Sequence, residues 1–258
     1  METKEEIALI ANLKNFAVNK GGKLFNLYIS GSHLYGWNSP KSDLDIRGSI
    51  LLDKDNFLGL ETPGEVWEKT AENYDITLFE IKKMVHLALK GNCNILEEIN
   101  APQIYKSGEF LKLRQLINNA FGKRGIYNSY KGMAEFNYKK FIKQGRNTVK
   151  KYLYVLRGLM AGIYCMETGQ IQPNIEELNK RFKIKEVDIL LKAKREENET
   201  LSLYGEIIPV EDGRLDLIIK ELFDKLDEAY LKCKIPEVPE KEDIDEINKY
   251  LIKLRKEE

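Results

Sequence analysis

The chain has 258 residues, and its 41 basic and 41 acidic residues give a formal net charge of zero. This length is sufficient for one large domain or two smaller ones with a substantial core. The balanced charge argues against a protein whose overall field attracts nucleic acid or an anionic membrane. Three widely spaced cysteines without a CxxC pair, together with only two histidines, argue against a disulfide framework and against zinc sites.

Nothing in the hydropathy pattern predicts insertion into a membrane. Residues 1–6 are charged and lead into a helical pattern rather than an apolar signal core. The most apolar stretch, 152–166, contains Arg157 and is too short to cross a bilayer. We therefore expect a cytoplasmic protein that makes no membrane contact.

Helical and strand patterns alternate in the first part of the chain. Apolar residues at helical spacing stop at Gly21 and again at Gly91, and short apolar runs between them are typical of strands. The predicted elements are a helix over 4–19, strands over 24–30, 44–52 and 74–79, and a helix over 80–90. This order predicts a small mixed β-sheet flanked by helices.

After about residue 110 the pattern is helical. Helices are predicted over 110–118, 125–144, 147–168, 175–182, 185–200, 215–233 and 243–254. We place a boundary near residue 118, with a mixed domain over 1–118 and a helical domain with a charged last helix over 119–258. The predicted fold class is α+β.

Positive charge is concentrated between residues 112 and 157, where twelve basic residues and one acid give a local charge of +11. Aromatic residues interleave with them, among them Tyr127, Tyr130, Phe136, Tyr138 and Phe141. Solvated helix faces would explain an ordinary run of charge, but this asymmetry in a neutral chain favours an anion-binding surface. Lys143, Lys150 and Lys151 are the candidates for phosphate contacts, and a plain surface position is the alternative for each.

One segment, 29–48, combines the residue types that phosphate chemistry requires. Gly31 and Ser32 stand where a strand ends, so the backbone can approach a phosphate closely and the hydroxyl adds a donor. Asp43 and Asp45 are two residues apart on a predicted strand, which places both carboxylates and Arg47 on one face.

Neighbouring carboxylates repel each other unless a cation lies between them, and oxygen ligands suit Mg²⁺ (or Mn²⁺) where phosphates complete the shell. Asp75, on the next predicted strand, is placed to supply a third carboxylate. Two metals held this way activate an attacking hydroxyl and stabilise a leaving pyrophosphate. An isolated Asp-x-Asp would indicate only a charged turn or edge strand; the Gly-Ser and Asp75 favour the metal site.

The Gly-Ser followed by Asp-x-Asp resembles the signature of the DNA polymerase β-like nucleotidyltransferase superfamily. The string GSHLYGWNSPKSDLDIRG resembles one subfamily, the RNA repair pathway DNA polymerase beta family. That subfamily typically carries Gly-Ser-Arg-x-Tyr-Gly and then Ser-Asp-x-Asp-x-Arg-Gly. Segments 74–102 and 150–173 are also similar to it, and the likeness covers about residues 25–200.

The resemblance implies a mixed sheet flanked by helices, with a helical domain beside a cleft. It implies transfer of a nucleoside monophosphate from an NTP to an acceptor, with Mg²⁺ and release of pyrophosphate. By position, Gly31 and Ser32 would hold the NTP phosphates. Asp43 and Asp45 would ligate metal, and Asp75 would be the third carboxylate and general base.

Two residues of the segment have alternative interpretations. His33 stands where the subfamily commonly has arginine, and a neutral histidine binds phosphate more weakly than a guanidinium fork. A hydrogen-bonded loop position is the alternative for His33. Arg47 either orients an aspartate or contacts a phosphate directly.

Three functions are consistent with these residues. The first is a metal-dependent nucleotidyltransferase acting on RNA, such as a tRNA end, which the basic segment and its aromatic residues favour. The second is nucleotide transfer to a protein or small-molecule hydroxyl, as in toxin–antitoxin or antibiotic-modifying relatives. The third is a catalytically silent nucleotide- or RNA-binding module, which the intact set of carboxylates disfavours. Neither the preferred NTP nor the oligomeric state follows from these residues.

Overall fold

A five-stranded mixed sheet forms the N-terminal part of the protein. The computed structural model describes residues 3–71, 74–145, 148–196 and 213–256. The strands are β1 (Gly22–Ile29), β2 (Leu44–Leu52), β3 (Val66–Ala71), β4 (Tyr74–Glu80) and β5 (Gln103–Lys106). Their order is β3-β4-β2-β1-β5; β2 and β4 are parallel, and the other neighbours are antiparallel.

Helices flank the sheet and form the C-terminal region, which confirms the predicted α+β fold. In the first half they are α1 (Thr3–Asn19), α2 (Gly31–Tyr35), α3 (Ile81–Leu89), α4 (Cys93–Asn100) and α5 (Phe110–Ala120). They are followed by α6 (Lys123–Asn137), α7 (Val149–Thr168), α8 (Ile175–Phe182), α9 (Lys185–Arg195), α10 (Arg214–Lys232) and α11 (Lys241–Lys256). A 3₁₀ turn (Lys54–Phe57) follows β2, and a π-helical turn (Tyr138–Ile142) follows α6. Within the described ranges, no helix has the length and apolar character needed to cross a bilayer.

Two hydrophobic clusters hold these layers together. The smaller cluster packs Leu9, Leu13 and Ala17 of α1 against one face of the sheet, including Ile46 of β2. The larger cluster joins β1 to the helices and extends along the chain to Leu254. The boundary near residue 118 therefore stays a prediction, since residues on both sides of it share one core.

Sequence periodicity located the long elements and missed the short ones. The strands predicted over 24–30, 44–52 and 74–79 and the helix over 4–19 are confirmed. The short α2, β3, α4 and β5 were not predicted. β3 is an edge strand with charged residues in its sequence VWEKTA. Two of the buried residues of α4 are glutamates, so its sequence does not show a simple apolar face. β5 has only four residues.

Two long predicted helices end differently from expectation. In place of the helix predicted over 125–144, α6 ends at Asn137 and the π-helical turn follows it. The helix predicted over 185–200 ends at Arg195, and its predicted remainder, 197–200, lies outside the described residues. Arg146 and Asn147, within the basic segment, also lie outside them.

A fully buried ion pair connects the helical region to the sheet layer. The Arg157 guanidinium of α7 lies 2.5 Å from Glu97 Oε1 of α4, and neither side chain is exposed. The Tyr130 hydroxyl of α6 donates to the same carboxylate oxygen at 2.9 Å. The guanidinium also lies 3.9 Å from the ring centre of Tyr35 in α2. Four helices therefore meet at one charged group.

Arg157→Met is expected to lower the free energy of unfolding by about 3–5 kcal/mol, because it leaves the Glu97 carboxylate buried without a counter-charge. The double variant Arg157→Met, Glu97→Gln removes that uncompensated charge and should recover part of the loss. Urea unfolding of the three proteins measures both effects. A double variant as unstable as the single one would contradict this interpretation.

Candidate active site

A cleft of about 340 Å³ opens between the sheet and the helical region. Ser32 of α2, Asp45 of β2, Tyr154 of α7 and Lys194 of α9 are placed around it by four different elements. The complete lining consists of Ser32, Ser39, Lys41, Ser42, Asp43, Asp45, Lys150, Tyr154 and Lys194. The cleft thus combines two carboxylates with three lysines.

Asp45 and Asp75 are neighbours on adjacent strands, whereas Asp43 lies just before β2 and not on the strand as predicted. Asp45 of β2 is directly opposite Asp75 of the parallel strand β4. Paired residues on adjacent strands project from the same face of a sheet, with the strands about 4.8 Å apart. Asp43 precedes β2 and lines the cleft with Asp45, whereas Asp75 is exposed beside it and is not among the lining residues.

Gly31 allows α2 to approach Asp45 closely. Gly31 has a φ of 61°, in the left-handed region that favours glycine, and a methyl group there would overlap Oδ2 of Asp45. The Ser30 amide donates a 2.7 Å hydrogen bond to the backbone oxygen of Asp45. The glycine of the Gly-Ser motif is therefore required for packing against the carboxylate, and Ser32 follows at the cleft.

Arg47 orients Asp45 in this structure. One terminal nitrogen of Arg47 is 3.1 Å from Asp45 Oδ1, and the other donates to the backbone oxygen of Asp75 at 3.1 Å. Both side chains are about a quarter to a third exposed. The guanidinium thus bridges β2 and β4 beside the two carboxylates.

A short turn presents the remaining hydroxyls of the cleft. The Ser39 amide donates to Ser42 Oγ at 2.9 Å, and the two hydroxyls are 3.3 Å apart. This contact closes the loop that leads into Asp43. The sequence analysis did not predict a role for Ser39, Lys41 or Ser42. All three lie between the Gly-Ser and Asp-x-Asp motifs.

Helix α7 supplies one side of the cleft. Its first residues are capped by Thr148, whose side chain accepts from the Lys151 amide. Lys150, Tyr154 and Arg157 are four and three residues apart, which places them on one face of the helix. Burial raises the pKa of Tyr154, so its hydroxyl stays protonated. The buried pair of Arg157 therefore fixes the face that carries Lys150 and Tyr154.

The lysine candidates occupy different places. Lys150 lines the cleft. Lys143 lies 2.5 Å from Asp216 of α10, and Lys151 lies 3.8 Å above the ring centre of Phe141. Lys194 of α9 is buried and lines the cleft; no sequence signal indicated it, because it is one of several lysines on an amphipathic helix. Phosphate contacts by Lys143 and Lys151 stay predictions.

His33 lies on the other side of α2 from the cleft. It lines a separate cavity of about 540 Å³ together with Asn100, Gln103 and Asn174. A role of His33 in triphosphate binding stays a prediction, and in this arrangement its imidazole and the hydroxyl of Ser32 belong to different cavities.

A buried carboxyl supports the Gly-Ser turn from behind. Glu98 of α4 accepts hydrogen bonds from the Tyr28 hydroxyl at 2.9 Å and from the Ser30 hydroxyl at 3.1 Å. Burial raises the pKa of Glu98 to about 7, while these two donors and Arg47 oppose the shift and the adjacent Glu97 adds to it. The neutral and charged forms of Glu98 are both accessible near neutral pH.

The oxygen donors of the cleft fit a hard divalent cation. Asp43 and Asp45 line it together with the hydroxyls of Ser32 and Ser42, and Mg²⁺ and Mn²⁺ take oxygen ligands. Across the described part of the chain, no three His, Cys, Asp or Glu side chains already converge on one point. A cation bound to Asp45 would compete with its ion pair to Arg47.

The chain is similar to a known protein family and to two other proteins. The profile of the RNA repair pathway DNA polymerase beta family matches residues 6–253. Uncharacterized protein MJ0002 of Methanocaldococcus jannaschii is 34% identical over 149 residues, which span 56% of this chain and 60% of that protein. Uncharacterized protein YcgL of Bacillus subtilis is 27% identical over 253 residues, which span 95% of this chain and 94% of that protein.

Gly31→Ala is expected to destabilise the protein more than the matched variant Gly169→Ala. Both glycines have a positive φ, 61° and 73°, so each alanine incurs about 1–2 kcal/mol of backbone strain. Only at Gly31 does the added methyl group meet a carboxylate, since nothing lies within 4 Å at Gly169. Urea unfolding should show at least about 1 kcal/mol between the two variants. Equal losses would contradict the close packing of Gly31 on Asp45.

Glu98→Gln is expected to remove a pH dependence of stability. Because the folded pKa of Glu98, about 7, exceeds its ordinary value of 4.5, the folded protein binds more protons between these values. The contribution of Glu98 to stability is therefore complete below about pH 4.5, and it is lost as the pH rises through 7. Relative to the variant, wild type should lose about 2–3 kcal/mol between pH 4.5 and 8. If the free energy of unfolding of wild type and of Glu98→Gln changed equally with pH, Glu98 would not titrate in this way.

Proposed function

Because the chain belongs to the RNA repair pathway DNA polymerase beta family, we propose that it transfers a nucleoside monophosphate from an NTP to an acceptor hydroxyl and releases pyrophosphate. The observation that carries this proposal is the cleft in which Asp43 and Asp45 face Lys41, Lys150 and Lys194. Carboxylates suit a divalent cation and ammonium groups suit phosphate oxygens. An NTP with its cation needs both in one place.

The side chains around the cleft divide into those that hold phosphate and those that face the reacting atoms. The Ser32 hydroxyl donates a hydrogen bond to a phosphate oxygen, while Gly31 allows the backbone to lie close to the phosphate. Lys150 and Lys194 reach the triphosphate from the helical side. These contacts orient the α-phosphate toward the carboxylates, and orientation by itself is a large part of such catalysis.

Asp43 and Asp45, with Asp75 beside them, are the residues that would hold Mg²⁺ or Mn²⁺. A cation bound there would neutralise the triphosphate charge and activate the acceptor hydroxyl. Asp75 is exposed next to Asp45, so its carboxylate accepts the proton of the incoming hydroxyl. Arg47 holds the Asp45 carboxylate in place until the substrate arrives.

RNA is the acceptor that we favour. The family description concerns RNA repair, and Lys150 and Lys151 at the start of α7 have no carboxylate partner among the described residues. Incubation with each labelled NTP, Mg²⁺ or Mn²⁺, and total RNA or total protein tests this directly. Label should appear in RNA; label confined to protein would contradict the RNA acceptor, and no labelled product with any NTP would contradict the transferase.

Asp45→Asn is expected to reduce nucleotide transfer by several orders of magnitude, because a ligand of the cation is lost. Its stability without metal should stay within about 1 kcal/mol of wild type, since the lost pair with Arg47 is partly exposed and repulsion among the aspartates is relieved. The rise in melting temperature with Mg²⁺ and NTP should disappear.

A matched control for this experiment is Asp227→Asn. It removes the same charge from a carboxylate that pairs with Lys131 outside the cleft, so transfer should be unchanged. An Asp45→Asn protein that melts much lower than wild type and still responds to Mg²⁺ would show a structural role for Asp45 instead.

A further inference from the structure

Tertiary structure neutralises most of the basic segment. Among the residues that the structure describes, seven of the twelve basic residues form ion pairs, and the acids come mainly from α4, α10, α11 and the segment between the last two helices. The pairs are Lys112–Glu246, Lys123–Glu237, Arg124–Glu237, Lys131–Asp227, Lys139–Glu135, Lys143–Asp216 and Arg157–Glu97. The local charge of +11 is therefore not a uniform anion-binding surface.

Three lysines remain without a carboxylate partner among the described residues, and they lie together. They are Lys140 of the π-helical turn and Lys150 and Lys151 of α7. Arg114, which also has no such partner, lies apart from them over the ring of Phe110. The residual charge of the segment is thus concentrated at the end of α7 that borders the cleft.

Two phenylalanine rings lie among these lysines. Lys140 Nζ is 4.7 Å from the ring centre of Phe136 and 5.7 Å from that of Phe141. Lys151 Nζ is 3.8 Å from the ring centre of Phe141. The two rings are 6.1 Å apart at 79°, and Phe136 is 54% exposed. Phe136, Lys140, Phe141, Lys150 and Lys151 form what we name the lysine–phenylalanine patch.

Like charges lie close together in the patch. Burial lowers the pKa of Lys151, and the neighbouring Lys150 and Lys140 lower it further. A large aromatic ring exposed beside them adds an apolar surface that water solvates poorly. The π-helical turn that carries Phe141 is itself an irregularity of the kind found frequently at functional sites.

The patch is continuous with the cleft. Lys150 belongs to both, and Lys151 Nζ lies 6.0 Å from the ring centre of Tyr154, which lines the cleft. A chain bound along the patch therefore extends to the cleft at Lys150.

We propose that the lysine–phenylalanine patch binds the single-stranded end of an RNA acceptor, with bases stacked on Phe136 and Phe141 and phosphates on the three lysines. Alternating stacking surfaces and cations match a strand that alternates bases and phosphates. A duplex keeps its bases stacked inside, and an acidic peptide has no regular series of aromatic bases to stack on the rings. The direction of the strand toward the cleft rests on the proposed function, whereas binding itself does not.

Fluorescence anisotropy with a labelled single-stranded oligoadenylate, without NTP or metal, tests the proposal. Phe136→Leu keeps apolar volume and removes the ring, so the dissociation constant should rise about ten-fold, whereas Phe136→Trp should bind as well as wild type or better. The double variant Lys140→Gln, Lys151→Gln should make the negative slope of log affinity against log salt shallower by about 1.4. Each lost phosphate contact removes about 0.7 from the magnitude of that slope.

Matched controls lie elsewhere in the protein. Lys20 lies over the ring of Phe16 at 5.4 Å, so Lys20→Gln removes a similar lysine from α1. Phe57, 38% exposed and covered by Arg255 at 4.7 Å, gives the control Phe57→Leu. Both should leave the affinity within about two-fold of wild type.

Three results would overturn the proposal. They are unchanged affinity in Phe136→Leu, equal affinity for a duplex of the same sequence, and competition by polyglutamate as effective as by RNA at equal charge. The outcome is separable from that of the proposed function. Patch-dependent binding without nucleotide transfer to any acceptor refutes the transferase alone, and transfer to RNA with unchanged KM in the patch variants refutes the patch alone.

Discussion

The buried pair of Arg157 with Glu97 is the interaction on which the candidate active site depends. Neither side chain is exposed, so each charge has only the other and a few hydrogen bonds in place of water. The guanidinium joins α7 to α4 and lies over Tyr35 of α2. The faces that carry Lys150 and Ser32 therefore keep a constant position relative to each other. Adjacent to it, Glu98 supports the turn that begins α2 through Ser30.

The cleft is lined by acidic and basic side chains from different elements. Asp43 and Asp45 come from the sheet side, and Lys150 and Lys194 come from the helical side. Arg47 and the Gly31 turn hold Asp45 on the sheet side of the cleft. This arrangement is consistent with transfer chemistry, in which cation and triphosphate enter together.

Much of the fold was predictable because the long elements have a strong local signal. The period of two in β2 and the apolar run of α7 identify these elements in any context. The short elements were not predictable, since β5 owes its existence to pairing with β1, and α4 buries Glu97 and Glu98 against partners far along the chain. Charged residues normally lie at the surface. Because α4 buries two glutamates, the apolar pattern did not predict this helix, which supports the site.

The sequence by itself determined the family resemblance and the nearness of Asp43 to Asp45, because two residues so close along the chain reach the same cleft at the start of β2. Tertiary structure decided which basic side chains form ion pairs with carboxylates. Lys131 and Asp227 are 96 residues apart, and Lys112 and Glu246 are 134 apart. No local pattern predicts such pairs, because they form only where folding brings distant helices together. The same folding brought Lys194 to the cleft, placed His33 beside a different cavity, and left the charge of Lys140, Lys150 and Lys151 uncompensated among the described residues.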